Sequence, residues 1–115
     1  MILTLPWPSS ALHGHAKGNR WPKIKATKIH REAAWALALQ AKVQRDPTAA
    51  LTFTYHPPNN RRRDCQNMPG MLKPAIDGIA QAMGCDDHGF RVRYPDTFGE
   101  CVKGGAVVVE IGGAA

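Results

Sequence analysis

Short apolar runs, two of which alternate with polar residues, predict four strands along this chain. Between Leu51 and Tyr55, large apolar side chains alternate with two threonines, a pattern typical of a strand with one buried face. Residues 2–5 and 106–111 are further apolar runs, bounded by proline or glycine. In residues 90–94, apolar side chains alternate with Arg91 and Arg93, which predicts a strand with a basic outer face.

A longer segment that begins after Asn67 has helical periodicity instead. Its apolar side chains recur at the i, i+3, i+4, i+7 spacing of one helix face. This predicted buried face consists of Met68, Met71, Leu72, Ala75, Ile76, Ile79, Ala80 and Met83. Lys73 and Asp77 fall on the outward face, and Gly84 is a predicted left-handed C-cap. Pro74 removes one backbone hydrogen bond, so we expect a bend or a late start.

Another helix, rich in alanine, is predicted from an N-cap at Thr27 to about Arg45. Its apolar face is less regular, and the side chains expected to point inward are Ile29, Ala33, Ala36 and Leu37. Residues 9–22 before it are rich in glycine, proline and polar side chains and predict a long loop. Four side chains make this loop a candidate phosphate-contacting arm: His13, His15, Lys17 and Arg20. The alternative is a linker without that role.

The elements follow one another in the order strand, helix, strand, helix, strand, strand. This order predicts a mixed α/β (α+β) fold, in which two main helices cover a small mixed sheet. A chain of 115 residues, 43% of them hydrophobic, is long enough for one modest core and too short for two. We therefore expect a single domain over residues 1–115.

The charge of the chain favours a polyanionic partner. Fifteen lysines and arginines against nine acids give a formal net charge of +6. Six cations precede Glu32 without a single acid: Lys17, Arg20, Lys23, Lys25, Lys28 and Arg31. Nucleic acid is the leading candidate, because cations gain affinity by releasing counterions from phosphates. The alternative is a solvated basic face with no specific partner.

Cysteine usage and hydropathy indicate an intracellular protein. Cys65, Cys85 and Cys101 are odd in number and form no C-x-x-C pair, which argues against a disulfide framework and a zinc knuckle. The amino end lacks the pattern of a signal peptide, and no apolar stretch approaches the ~20 residues of a membrane span. We therefore expect a cytoplasmic protein without membrane association.

The candidate chemistry is concentrated between Arg61 and Asp87. This segment begins with three consecutive arginines and contains four of the nine acids: Asp64, Asp77, Asp86 and Asp87. Acids beside a basic cluster suit a hard cation held against a phosphodiester, since magnesium takes oxygen ligands and neutralises phosphate charge. The predicted helix, however, separates Asp64 from Asp87 by ~20 Å at ~1.5 Å per residue. They meet only if a terminal loop folds back or a second subunit supplies one ligand.

Lys73 is open to two interpretations. Its ammonium group suits stabilisation of transition-state charge or assistance to a leaving group. It equally suits an ordinary i, i+4 surface pair with Asp77, which contributes roughly 0.2–0.5 kcal/mol.

The segment RRRDCQNMPGMLKPAIDGIAQAMGCDD resembles the signature of the RusA family of Holliday junction resolvases. The shared features are the arginines, a pattern close to D-x-D-N, a helical lysine followed four residues later by aspartate, and a D-D turn. The opening LPWPSS is similar to that family's amino-terminal strand and loop. The resemblance extends over most of the chain. It implies a magnesium-dependent homodimeric endonuclease of mixed α/β fold that cuts four-way DNA junctions, often prophage-encoded, with manganese as a substitute metal.

Carried over by position, the resemblance assigns roles to individual residues. The implied catalytic residues are Asp64, Lys73 and Asp87, and the implied metal ligands are Asp64, Gln66 and Asp87. The arginines expected to hold the DNA backbone, giving position rather than sequence readout, are Arg61, Arg62, Arg63, Arg91 and Arg93. A C2 homodimer would deliver the two matched nicks that resolve a junction of two-fold symmetry.

One position departs from the family pattern. Gln66 stands where the second aspartate of D-x-D-N is expected, and its amide oxygen coordinates magnesium without contributing charge. We expect lower metal affinity and reduced activity, with Asp77 or Asp86 as candidate compensating ligands. Two other functions stay open: a junction-binding protein on the same scaffold that has lost catalysis, and an RNA-binding or general basic interaction module.

Overall fold

Two helices cover one face of a four-stranded mixed sheet, as the order of the predicted elements indicated. The structure is a computed structural model and describes residues 1–12 and 20–112. Its strands are β1 Ile2–Pro6, β2 Ala50–His56, β3 Arg91–Arg93 and β4 Ala106–Ile111, and its helices are α1 Trp21–Gln40 and α2 Met68–Met83. The predicted mixed α/β class and small single domain are confirmed. Neither α1 nor α2 combines the length and the apolar character needed to span a membrane.

The sheet has the strand order β1-β4-β2-β3. β4 is antiparallel to both of its neighbours, so that Val107 lies opposite Leu5 on one side and Tyr55 on the other. β3 pairs with β2 in parallel, and parallel neighbours need a crossover connection, which α2 supplies. The helices pack on the buried face of the sheet, formed by Leu3, Leu5, Leu51, Phe53, Tyr55, Val107, Val109 and Ile111.

α2 agrees closely with its prediction. All eight side chains of the predicted inward face are buried, because the period of 3.6 residues places them on one stripe against the sheet. Gly84 ends the helix with a left-handed φ of 76°. Of the two effects expected from Pro74, a bend or a late start, the late start is not observed: α2 begins at Met68 and continues through Pro74. A short 3₁₀ turn, Cys65–Asn67, precedes it.

The predicted bounds of α1 were wrong. The helix begins at Trp21, with Pro22 in the first turn, where a proline is tolerated because its missing N–H has no helical partner there. Thr27 is therefore no N-cap, and its hydroxyl donates to the Lys23 carbonyl one turn earlier, at 2.8 Å. The helix ends at Gln40 rather than Arg45. The predicted loop accordingly ends before Trp21, and three side chains of its candidate arm lie outside the described residues: His13, His15 and Lys17.

The predicted inward face of α1 was only partly right. Ala33 and Leu37 are half-buried, whereas Ile29 and Ala36 are exposed. The buried side chains are His30, Ala34 and Ala38, whereas Ile29 is 56% exposed. The reason is the close crossing of α1 and α2. A Cβ added to Gly78 of α2 would lie 2.3 Å from the backbone oxygen of Arg31, so α1 must present small residues at this contact. Larger side chains are left on its outward face.

Candidate functional site

The carboxyl ends of the parallel strands β2 and β3 bring two acidic segments to one edge of the sheet. β2 leads into residues 57–67, which carry the arginines and Asp64. The chain beyond β3 returns to this segment: the Gly99 N–H donates to the Tyr55 carbonyl at 2.8 Å, and the Val102 N–H donates to the Pro57 carbonyl at 3.0 Å. Parallel strands end at the same edge, which is where open α/β sheets usually bind ligands.

Arg63 fixes the shape of the arginine segment. Its Nη1 donates to the carbonyls of Asn59, at 2.9 Å, and Arg61, at 3.0 Å, and its Nη2 donates to Asn59 Oδ1 at 2.9 Å. The guanidinium also lies 5.6 Å from the centre of the Trp7 ring, within reach of a cation–π interaction. Arg61 and Arg62 are exposed, and no ion pair engages them in the described part of the chain. Arg63 therefore organises the segment and leaves its neighbours to meet an anion.

Asp64 lines two depressions of the protein surface. The larger, which we call the polar groove, has a volume of about 700 Å³. Its oxygen-bearing side chains are Asp64, Gln66, Asp96 and Thr97, with Arg62 and Arg63 beside them. Burial raises the pKa of the Cys65 thiol, and the nearby carboxylates of Asp64 and Asp96 raise it further. The carboxylates of Asp64 and Asp96 are therefore both close enough to the Cys65 thiol to affect its pKa.

The polar groove contains carboxylate and amide oxygens, which are the type of ligand that a hard divalent cation binds. Magnesium is commonly held by one or two carboxylates, with waters and substrate phosphate completing its coordination. Asp64 Oδ1 accepts a hydrogen bond from the Gln66 backbone N–H at 2.9 Å, which fixes the carboxylate against the start of α2. Within residues 1–12 and 20–112, no group of three or more His, Cys, Asp or Glu side chains is placed to hold a metal ion.

The second depression, which we call the tryptophan pocket, lies on the other side of Asp64. It has a volume of about 540 Å³. Its lining combines apolar side chains with a polar rim and consists of Trp7, Pro8, Ser10, Pro58, Arg61, Arg62, Arg63, Asp64, Asn67, Met68 and Met71. Trp7 belongs to the LPWPSS segment, so the two stretches of the chain that resemble the RusA family meet at this pocket.

Lys73 forms the centre of a lysine–aspartate cluster on α2. Its Nζ lies 2.9 Å from Asp77 Oδ1 and forms a second ion pair with Asp87. The bonds to Asp87 and then Asp77 raise the pKa of Lys73, and the bond to Lys73 lowers the pKa of Asp87. The loop after Gly84 therefore folds back along α2. Its turn is stabilised by Asp86 Oδ1, which accepts from the His88 N–H at 2.8 Å.

Tyr94 extends this cluster toward the sheet. Its ring stacks on Phe53, with the ring centres 5.7 Å apart. Burial raises the pKa of the Tyr94 hydroxyl, and the charge of Lys73 opposes that shift. The charge of Lys73 therefore acts on the Tyr94 hydroxyl as well as on the two carboxylates that it pairs with.

The predicted site residues fall into two groups. Asp64 and Gln66 line the polar groove together, whereas Asp87 is held by Lys73 and lines neither depression. Arg91 and Arg93 are exposed on β3, an edge strand, and also lie outside both depressions. Arg91 Nε donates to the Thr48 carbonyl at 3.2 Å.

Asp96 is the site residue that the sequence interpretation missed. It follows β3 directly and lines the polar groove with Asp64. The signal that identifies it is the parallel pairing of β2 with β3, because acids that follow two parallel strands reach the same sheet edge. The strand prediction for residues 90–94 gave no pairing partner, so this signal was absent.

Comparison with known proteins identifies a relative of the chain. No family model matches the chain. The chain is similar to an uncharacterized protein of Xylella fastidiosa (strain Temecula1 / ATCC 700964), with 36% identity over 120 residues. The matched region covers 96% of this chain and 75% of that protein.

Proposed function

We propose that this chain is a magnesium-dependent, structure-selective endodeoxyribonuclease that resolves four-way DNA junctions by paired nicks. The chain belongs to the same family as the Xylella fastidiosa protein. The observation that carries the proposal is the position of Asp64, which lies in the polar groove beside the exposed Arg61 and Arg62. An acid and phosphate-binding cations at one sheet edge suit phosphodiester hydrolysis. The resemblance to the RusA family supports the choice of branched DNA.

Arg61 and Arg62 are the proposed backbone contacts closest to the reacting phosphate. They are exposed beside Asp64, while Arg63 holds their segment in place through Asn59 and Trp7. Arg91 and Arg93 would contact the DNA further along the edge strand β3. Contacts of this kind fix the position of the duplex without reading its sequence.

Asp64, Gln66 and Asp96 are the side chains of the polar groove that would hold Mg²⁺. When bound, Mg²⁺ neutralises charge on the phosphate and makes a coordinated water a better nucleophile. Asp87, the third ligand implied by the resemblance, is paired with Lys73 and lies outside the polar groove. Because Gln66 contributes no charge, we propose that Asp96 supplies the second carboxylate.

Lys73 acts in this proposal as a fixed positive charge. Its raised pKa keeps the ammonium protonated at neutral pH and makes it a poor proton donor. Lys73 lines neither depression, so we propose that it stabilises negative charge on DNA phosphate where the backbone extends from the polar groove to the lysine–aspartate cluster. Asp77 and Asp87 position the ammonium, since each accepts from it.

The active form that we propose is a homodimer acting on DNA in the cytoplasm. A single chain contributes one polar groove with one Asp64. Two nicks of matching geometry in a symmetric junction require two such sites related by a two-fold axis.

The test uses an Asp64→Asn variant, with Glu32→Gln as the matched control because Glu32 is exposed on α1. Cleavage of a four-way junction and of a linear duplex is measured at the same salt and magnesium concentrations. We expect junction-selective cutting by the native protein and by Glu32→Gln, and a loss on the order of 10²-fold or more in Asp64→Asn, with junction binding retained. Full activity in Asp64→Asn would refute the proposal.

A second candidate function is a junction-binding protein that does not cut. Gln66 at the motif position, together with the engagement of Asp87 by Lys73, favours this alternative. It predicts junction binding with no cleavage at any magnesium or manganese concentration. A general basic module would instead bind linear and four-way DNA equally at matched salt.

A further inference from the structure

The apolar interior of the tryptophan pocket has no part in the metal and phosphate roles proposed above, yet it is well formed. Met68 and Met71 of α2 are buried below it, with exposed fractions of 3% and 8%. Pro8 is also buried, and Pro58 and Trp7 are half-buried. The interior is thus apolar and lies between the amino-terminal segment and the start of α2.

Trp7 is held in place by contacts on several sides. The Arg63 guanidinium lies over its ring at 5.6 Å, and the Phe98 ring is tilted beside it, with the ring centres 6.5 Å apart. Gly105 has a φ of +73°, and a Cβ there would lie 2.8 Å from the Trp7 Cβ. This packing leaves little freedom for the indole, so the wall of the pocket exists before any ligand arrives.

The rim of the pocket is polar and cationic. Arg61 and Arg62 are exposed on it, with Ser10 and Asn67 nearby. Asp64 belongs to both the rim and the polar groove, so an occupant would lie next to the proposed reaction site. The volume of about 540 Å³ falls within the range of about 300–1,000 Å³ that is usual for small-molecule sites.

The chemistry of one nucleotide matches these features. A nucleobase has flat apolar faces for the apolar walls and a polar edge for Ser10 and Asn67, and its flanking phosphates match the charge of Arg61 and Arg62. Single bases bound by proteins stack on aromatic side chains or guanidinium planes, and the stacked pair of Trp7 and Arg63 forms part of the pocket wall. An apolar peptide would satisfy the interior but not the arginines.

We propose that the tryptophan pocket receives one unstacked nucleobase of the bound DNA, beside the phosphate that faces Asp64. The proposal rests on the proposed function and deepens it, because a base pocket beside the reacting phosphate makes cleavage depend on the base at that position. Unstacking costs least where pairing is already interrupted, as at the branch point of a junction.

The experiment measures DNA binding, so that it does not depend on cleavage. Four-way junctions are prepared with one abasic nucleotide at a time near the branch point, and their Kd values are measured in buffer without divalent metal. We expect one position at which loss of the base weakens binding about 10-fold, as is typical for one stacked base. Abasic substitutions elsewhere leave the Kd unchanged.

A blocking variant and a matched control locate the effect in the pocket. Ser10 is exposed on the rim, so Ser10→Phe fills the opening without disturbing the core. The control is Thr4→Phe, which adds the same side chain at an exposed position of β1 outside both depressions. Ser10→Phe should bind the intact junction about 10-fold more weakly and lose its sensitivity to the abasic position, whereas Thr4→Phe should behave like the native protein.

A fluorescence measurement keeps the test decisive if Ser10→Phe fails to fold. Trp21 and Trp35 are on the exposed side of α1, and replacing both with Phe leaves Trp7 as the single tryptophan. The intact junction should then quench the emission of Trp7, and the junction lacking the critical base should not.

The outcomes separate this proposal from the proposed function. Equal binding at every abasic position, with no change of Trp7 emission, would overturn the base pocket while leaving junction cleavage and its loss in Asp64→Asn intact. Base-dependent binding without any cleavage would support the pocket and refute the nuclease. No DNA binding at all would overturn both.

Discussion

Substitution of Gly78 by alanine tests the close crossing of α1 and α2, the contact that positions the helix carrying Lys73. The added Cβ would lie 2.3 Å from the Arg31 backbone oxygen, 3.0 Å from the Trp35 nitrogen and 3.2 Å from the Ala34 Cβ. Two of these three atoms are backbone, so rotation of a side chain cannot relieve the contact. The helices must move apart.

The expected loss of stability follows from two opposing effects. Overpacking of a well-packed interior costs about 1–3 kcal/mol, and backbone contacts this short fall at the upper end. Replacing glycine by alanine within a helix returns roughly 0.5–1 kcal/mol. The net loss is therefore about 2 kcal/mol, which corresponds to a fall in Tm of roughly 8 °C at ~4 °C per kcal/mol for a domain of this size.

The matched control is Gly70→Ala in the same helix. A Cβ at Gly70 meets no atom within 4 Å, so its stability should be unchanged or raised by up to about 1 kcal/mol. The free energy of unfolding of both variants is measured by urea titration with far-ultraviolet circular dichroism. If Gly78→Ala proves as stable as Gly70→Ala, the helices do not cross as closely as described.

Three further predictions concern side chains near the site. The Tyr55 hydroxyl is buried without a hydrogen-bond partner in the described residues, so Tyr55→Phe should leave the free energy of unfolding unchanged or raise it by about 1 kcal/mol; a clear loss in denaturant titration would contradict this. Asp87→Asn should cost about 0.2–1 kcal/mol at neutral pH, because the ion pair with Lys73 is partly exposed to solvent. Since the pKa of Asp87 is lowered, stability curves of native and variant protein should converge only as pH falls below the usual carboxyl pKa of ~3.9, and a pH-independent difference would count against the ion pair. Gln66→Asp adds a carboxylate to the polar groove and should shift junction cleavage to lower magnesium concentrations; an unchanged magnesium profile would refute the role of Gln66.

Local periodicity was sufficient to predict the strands and α2. The alternation between Leu51 and Tyr55 and the apolar stripe of α2 both arise from burial against one sheet face, and Gly84 supplies the stop signal. α1 followed a different rule, because its inward residues are selected by a close helix contact that admits only small side chains such as Ala34 and Ala38. Hydrophobic size, on which the prediction depended, points there to the wrong face.

The site was predictable only where its residues are neighbours in the chain. The arginines, Asp64 and Gln66 belong to one segment, and the structure keeps them together. The contact between Lys73 and Asp87 depends on how the chain turns after Gly84, which spacing alone does not determine. Asp96 becomes visible only through the pairing of two strands that are separated by a whole helix.

The interior position of β4 has a consequence for synthesis of the protein. β1 and β2 emerge from the ribosome well before residues 106–111, yet both obtain their antiparallel partner only from β4, and the Met1 carbonyl accepts from the Ile111 N–H at 2.7 Å. Pairings so distant in sequence form slowly, and unpaired strand edges invite association between nascent chains. A polypeptide interrupted before Ala106 would leave β1 without its partner and β2 paired only with β3, so chaperones and proteases would be expected to bind it.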